Sequence, residues 1–285
     1  MESTVEAHLA VLRRGFGMEV DKWRTLIDNM GVLAPVRDRL LSDLRVCART
    51  ELRRGEAVQP RCSRLGGFPE LPTGAVWPRA VDGRCLWFLG QIDLADVGRR
   101  LGDSSGDSAK LPSEGLLSFF ALPEPGDDDE YPAKVIWTPA GVEVGELAAP
   151  DDLVAFAAEW SASYGRQGLF GPVCVRFETE LILPHAFDVV EAGTGYDDPT
   201  LVALLAFGEM TALRSGEARV LGWPDWGQDS VASPNERLLL QLRCSHPAVD
   251  PVGLCFGEGD FSFLIDEQAL TESNWDAARV HYESG

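Results

Sequence analysis

Basic residues are scarce in this sequence of 285 residues. Its 25 Lys and Arg stand against 45 Asp and Glu, a formal net charge of −20, and a field of that sign repels phosphate backbones and anionic lipid. Nucleic acid and membrane surfaces are therefore excluded as expected partners. No apolar run approaches the roughly 20 residues that a membrane-spanning helix needs. The four histidines (His8, His185, His246, His281) are spread along the chain, and none is spaced with a nucleophile and an acid as a catalytic set requires. The six cysteines (Cys47, Cys62, Cys85, Cys174, Cys244, Cys255) form no Cys-x-x-Cys pair, so Cys244, His246 and Cys255 are not read as a zinc site. Such scattered thiols fit a reducing, cytoplasmic setting. Neither metal nor cofactor is expected.

What the sequence does have is one short motif twice. Arg64-Leu-Gly-Gly67-Phe68-Pro69-Glu70 and Arg219-Val-Leu-Gly222-Trp223-Pro224-Asp225 both read Arg-x-x-Gly-aromatic-Pro-acid. Glycine permits a backbone barred to other residues and proline fixes its own φ, so each copy predicts a rigid corner with an aromatic plug. The likeness continues downstream. Pro69 is followed by Gln91 within Leu86–Ile92 and by Gly115-Leu-Leu-Ser118-Phe-Phe120, while Pro224 is followed by Gln241 within Leu238–Leu242 and by Gly259-Asp-Phe-Ser262-Phe-Leu264. Three matches in one order predict an internal duplication with half-repeats at about 60–145 and 215–285.

Apolar residues recur at three- and four-residue intervals through Val5, Leu9 and Leu12, then Trp23, Leu26 and Ile27, then Leu40, Leu41 and Leu44. That period predicts helix over residues 4–54, an N-terminal helical arm of residues 1–54 ahead of a main domain at 55–285. The arginines Arg37, Arg39, Arg45, Arg49, Arg53, Arg54 and Arg61 then read as a solvated helix surface rather than an anion-binding face. Strands are expected at 85–92, 115–121, 133–138, 172–183, 237–243, 252–256, 260–265 and 277–282, and helices at 151–163 and 198–214. The fold class is α+β, with mixed, mainly antiparallel sheets.

Catalytic-looking strings fail on context. Gly102-Asp-Ser104-Ser-Gly106 has the spacing of a nucleophile elbow but lies in a polar loop, without the strand and helix that elbow needs. Gly257-Glu-Gly259-Asp260 lacks the Lys-Ser/Thr of a phosphate loop and reads as a hairpin turn. The run Asp127-Asp-Asp-Glu130 reads as a solvated loop rather than a cation site.

The first block, Ser63-Arg-Leu-Gly-Gly-Phe-Pro-Glu-Leu-Pro72 with Trp77-Pro78 and Leu86-Trp-Phe-Leu-Gly-Gln-Ile-Asp-Leu94, resembles the opening signature of the YwqG-like family, bacterial domain of unknown function 1963. The second block, Leu221-Gly-Trp-Pro224 with Gln228, Leu238–Leu242 and Gly259–Ile265, is similar to that family's C-terminal half. Where the family often has aromatic-Gly-Asp-x-Gly, this chain has Phe256-Gly257-Glu258-Gly259. The resemblance implies an α+β fold with a duplicated core in a cytoplasmic bacterial protein, and it brings no catalytic residues.

Two functional readings follow. The favoured one is a non-catalytic binding module for a protein partner in an immunity or regulatory role, a basic partner suiting the acidic chain. The competing one is a small-ligand binder or enzyme with its site in a cleft between the repeats, drawing on Arg64, Gln91, Asp93, Arg219, Gln228 and Gln241, with Trp226 as an exposed platform. Gly67, Phe68, Pro69, Pro72, Trp77, Pro78, Gly222, Trp223 and Pro224 are read as structural.

Overall fold

A computed structural model describes residues 2–53, 55–102, 111–122, 131–164, 171–190, 195–211, 218–226, 232–233, 235–243 and 259–284. The strands are β1 (Arg45–Arg53), β2 (Arg64–Leu65), β3 (Glu70–Pro72), β4 (Trp87–Asp93), β5 (Leu116–Ala121), β6 (Ala133–Thr138), β7 (Val144–Glu146), β8 (Val173–Ile182), β9 (Ala218–Val220), β10 (Glu236–Arg243), β11 (Gly259–Asp266) and β12 (Arg279–Ser284). Ten of them form one antiparallel sheet in the order β12-β11-β10-β9-β1-β8-β2-β4-β5-β6, while β3 pairs with β7 alone. The sheet curls until Tyr131, just before β6, bridges Val280 of β12, and the Tyr131 ring stacks on Tyr282 at 5.5 Å. It is a near-barrel within an α+β fold.

Alternation sets what faces the interior, because successive residues of a strand point to opposite faces. Val46 and Ala48 of β1, Leu117 and Phe119 of β5, Val175 and Phe177 of β8, and Phe261 and Phe263 of β11 meet in one buried cluster. The rings of Phe119 and Phe263 touch edge to face at its centre, 5.1 Å apart. Helix α1 (Glu2–Asn29) bends at Phe16, between Gly15 and Gly17, and buries Val5, Leu9, Leu12, Val20 and Ile27 in the same cluster. A 3-10 turn (Gly31–Val36) and α2 (Arg37–Ser42) follow, adding Leu33, Leu40 and Leu41. Trp23 Nε1 ties α1 to the sheet by donating to Leu181 O at 3.2 Å.

The helical reading of residues 45–53 is corrected here. They form β1, paired with β8 along its whole length and with β9 at Ala48 and Arg49. The reason is period two: Val46, Ala48, Thr50 and Leu52 alternate with Cys47, Arg49, Glu51 and Arg53, and burial of the first set outweighs the helical spacing that runs up to Leu44. The remaining described elements sit close to expectation. Helix α4 spans Asp151–Tyr164 and α6 spans Pro199–Thr211. Short elements escaped the sequence reading: α3 (Leu94–Leu101), α5 (Ala186–Val189) and α7 (Glu267–Thr271), with β2, β3, β7 and β9. The expected strand at 252–256, Gln228, the acidic run 127–130, Gly102–Gly106 beyond Gly102, and the Cys244, His246, Cys255 group lie outside the described residues.

The flanks of the sheet match in register. Arg64 lies opposite Gln91 and Gln91 opposite Ser118; Arg219 lies opposite Gln241 and Gln241 opposite Ser262. A register shift falls between Phe88 and Gly90 on one side and between Leu238 and Leu240 on the other, each just before its glutamine. Between the flanks, β1 and β8 pair with Glu51 opposite Arg176.

Candidate functional site

Each motif copy makes a corner where its short strand leaves the sheet. In the first corner Gly66 and Gly67 have φ of 66° and 75°; in the second Leu221 and Gly222 have 61° and 78°. A Cβ on Gly67 would lie 2.8 Å from Pro172 Cβ, and one on Gly222 would lie 2.7 Å from Cys47 Cβ. Both glycines are thus fixed twice, by backbone conformation and by space. Gly67→Ala and Gly222→Ala are each expected to cost about 2–4 kcal/mol, read as a lowered thermal midpoint.

The polar groups of the first corner close on one another. Arg64, 3% exposed, donates from Nη1 to Glu70 Oε2 at 2.8 Å and from Nη2 to the Phe68 carbonyl. Gln91, wholly buried, accepts from Glu70 N at 3.1 Å and donates from Nε2 to Glu70 Oε2 at 2.7 Å and Cys62 O at 3.1 Å. Arg61 N donates to both Glu70 oxygens, at 3.0 and 2.8 Å. A buried charge is tolerable only when paired and hydrogen-bonded, and here it is both.

The second corner repeats part of this. Arg219 Nη1 donates to Trp223 O at 2.9 Å. Gln241 accepts from Asp225 N at 2.9 Å and donates to Asp225 O at 2.8 Å. The acid itself turns elsewhere: Asp225 Oδ2 accepts from Arg243 Nη1 at 3.1 Å, and Arg243 Nε lies 3.2 Å from Asp260. Trp223 donates from Nε1 to Asp43 O at 2.6 Å beneath the Arg45 guanidinium, which sits 3.4 Å over its ring.

Arg64 and Gln91 are therefore brought together, as are Arg219 and Gln241, but in two places. With β8 and β1 between them the two sets stand three strand spacings apart across the sheet, about 14 Å, and are offset by about four residues along it, since Arg64 aligns through Cys174 with Arg53 and Arg219 aligns with Arg49. Asp93 joins neither: it caps α3, accepting from Ala95 N at 3.0 Å, and burial raises its carboxyl above the ordinary range. Trp226, expected as an exposed platform, is 3% exposed and packs against Leu238 and Leu264, with His281 at 5.7 Å. Trp77, among the structural residues, donates to Leu86 O at 2.7 Å and meets Phe120 edge to face.

The face of β1 and β8 turned away from the core is charged. Arg49 pairs with Glu178 and lies 3.6 Å from Glu180, Arg53 pairs with Glu51 at 2.6 Å, and Arg176 pairs with Glu56 at 3.1 Å. The alternation Arg49, Glu51, Arg53 is the sequence signal for this ladder, and the helical period that runs up to Leu44 hides it.

A cavity of about 250 Å³ opens on the far side of β4, lined by Arg84, Cys85, Trp87, Leu122, Asp152, Leu153 and Phe156. Asp152 is held down at about 2, chiefly by its hydrogen bond with Arg79 at 2.7 Å, while burial pushes the Cys85 thiol up to about 11. A thiol so shifted stays protonated at neutral pH and is a poor nucleophile. Among the described residues no three His, Cys, Asp or Glu gather as a metal site would need, and no helix is long and apolar enough to cross a membrane.

The model of one family, Domain of unknown function (DUF1963), matches residues 63–283, more than half of the chain. The chain belongs to this family. The resemblance carried by Ser63–Leu94 and Leu221–Ile265 is borne out, and the match spans both corners with β2 through β11 and most of β12. Helices α1 and α2 and the central strand β1 precede it. No curated protein matches the chain.

Proposed function

We propose that this member of the family is a cytoplasmic, non-catalytic binding module built by internal duplication, which holds a basic protein partner in an immunity or regulatory role. One observation carries the reading: the motif's polar side chains in the first corner are occupied by the chain's own backbone and by one another, which is how a folding element uses them and not how a reaction centre does. The duplication is supported by the matched registers Arg64–Gln91–Ser118 and Arg219–Gln241–Ser262 and by the paired register shifts. A site shared by the two copies would need their side chains to converge, and two strands stand between them. The acidic excess, −20 over the chain, favours a basic partner through steering and rim contacts.

Immobilised chain should retain a basic protein at about 50 mM salt and release it at about 300 mM, since screening shortens the reach of surface charge. Recovery of no basic partner at low salt, or retention indifferent to salt, would sink the proposal.

A further inference from the structure

Between the start of β4 and the first two turns of α4 the packing is incomplete, and a cavity of about 250 Å³ remains. Its wall is mostly apolar. Trp87, Leu122 and Leu153 are buried there, and the Phe156 ring meets Trp87 edge to face at 5.7 Å. The Cys85 thiol completes that wall, protonated and hydrogen-bonded at 3.5 Å to the Asp152 carboxylate. Atoms that line an unfilled space forgo dispersion contacts, and an apolar cavity of about 150 Å³ is already enough to take benzene. This one has room for a single aromatic ring with a short side chain.

Two charged side chains, Asp152 and Arg84, line the same cavity, and only the first is fully used. Asp152 accepts from both Nη atoms of Arg79, at 2.7 and 3.1 Å, as well as from the thiol, so its charge is cancelled where it stands. Arg84 donates from Nε to Asp82 Oδ2 at 2.6 Å, while its Nη1 and Nη2 make no hydrogen bond among the described residues. Its side chain is half-exposed, so the fork of these two nitrogens is reachable, and a carboxylate fits such a fork with two parallel bonds. The N-terminal turn of α4 puts a partial positive charge on the same rim, which favours an anion over a cation. We propose that this cavity binds a small aromatic carboxylic acid, its ring packed against Trp87, Leu153 and Phe156 and its carboxylate held by Nη1 and Nη2 of Arg84. None of the lining residues belongs to either corner, so the site goes beyond the binding-module reading and stands whether or not a protein partner is found.

Isothermal titration of the full chain at constant ionic strength tests this with phenylacetate, phenylacetamide, phenethylamine and acetate as probes. Phenylacetate should saturate one site at least about tenfold more tightly than phenylacetamide, the worth of a hydrogen bond to a charged group. Acetate, which has no ring, should not saturate it. Arg84→Gln, at a half-exposed position outside the core, should weaken phenylacetate to the level of the amide and leave the amide unchanged. Phe156→Ala removes one wall and should weaken acid and amide alike. Saturation by none of the aromatic probes overturns the site. Equal binding of the amide, or tighter binding of phenethylamine, overturns the carboxylate as the recognised group, and acetate binding as tightly as phenylacetate overturns the role of the ring. Phenylacetate affinity untouched by both substitutions puts the ligand elsewhere and overturns the site as well.

Discussion

Replacing either Phe119 or Phe263 with alanine is expected to lower stability by about 3–5 kcal/mol, the range for a large aromatic deleted from a packed core. Both side chains are fully buried and their rings meet at 5.1 Å in an edge-to-face arrangement. They come from β5 and β11, each the last strand but one at its end of the ten-stranded order. Their contact thus joins the two flanks through the interior, where no backbone hydrogen bond connects β5 to β11. Urea unfolding of the two single variants and the double variant should give a coupling of about 0.5–1.5 kcal/mol, the direct worth of an aromatic pair. Strictly additive losses would mean that the flanks are not coupled through this pair.

The second large effect is an asymmetry between the corners. Glu70→Ala removes the one carboxylate that pairs, among the described residues, with a guanidinium that is 3% exposed, and leaving a buried charge without its partner costs about 3–5 kcal/mol. It also removes the acceptor for Arg61 N and for Gln91 Nε2. Asp225→Ala keeps the second corner's backbone bonds to Gln241, because those use Asp225 N and O. It loses a pair with Arg243 whose side chains are both about one-third exposed, and such pairs contribute about 0–1 kcal/mol. Arg219 feels little, since Asp225 was never its partner.

Much of this fold was legible because its strands are long and its helices begin at proline and aspartate. Ala133–Thr138 and Val173–Ile182 fall where alternation and apolar density put them, and Asp198 caps α6 through Thr200 N at 2.8 Å. The corners were legible for a different reason: glycine at positive φ and a fixed proline leave a sequence mark that packing cannot disguise. β1 was not legible as a strand, because a helical period runs up to Leu44 and charged residues fill its outer face. Two-residue β2 and three-residue β9 are held by their neighbours and have no pattern of their own. At the candidate site the residue types were visible and their distribution was not. Gln91 and Gln241 read as polar groups in apolar strands in need of partners, yet which acid Arg64 or Arg219 would meet depends on one methylene and on Arg243, a contrast that appears only when the registers are superimposed.

The repeated motif is a folding corner, closed by a buried ion pair between its own Arg64 and Glu70 in the first copy and by a part-exposed pair of its acid with Arg243 in the second. Equilibrium urea unfolding of wild type, Glu70→Ala and Asp225→Ala tests it most directly. The claim predicts a midpoint lowered strongly by Glu70→Ala and little by Asp225→Ala, with the urea dependence unchanged in both. Equal losses, or a larger loss from Asp225→Ala, would contradict it.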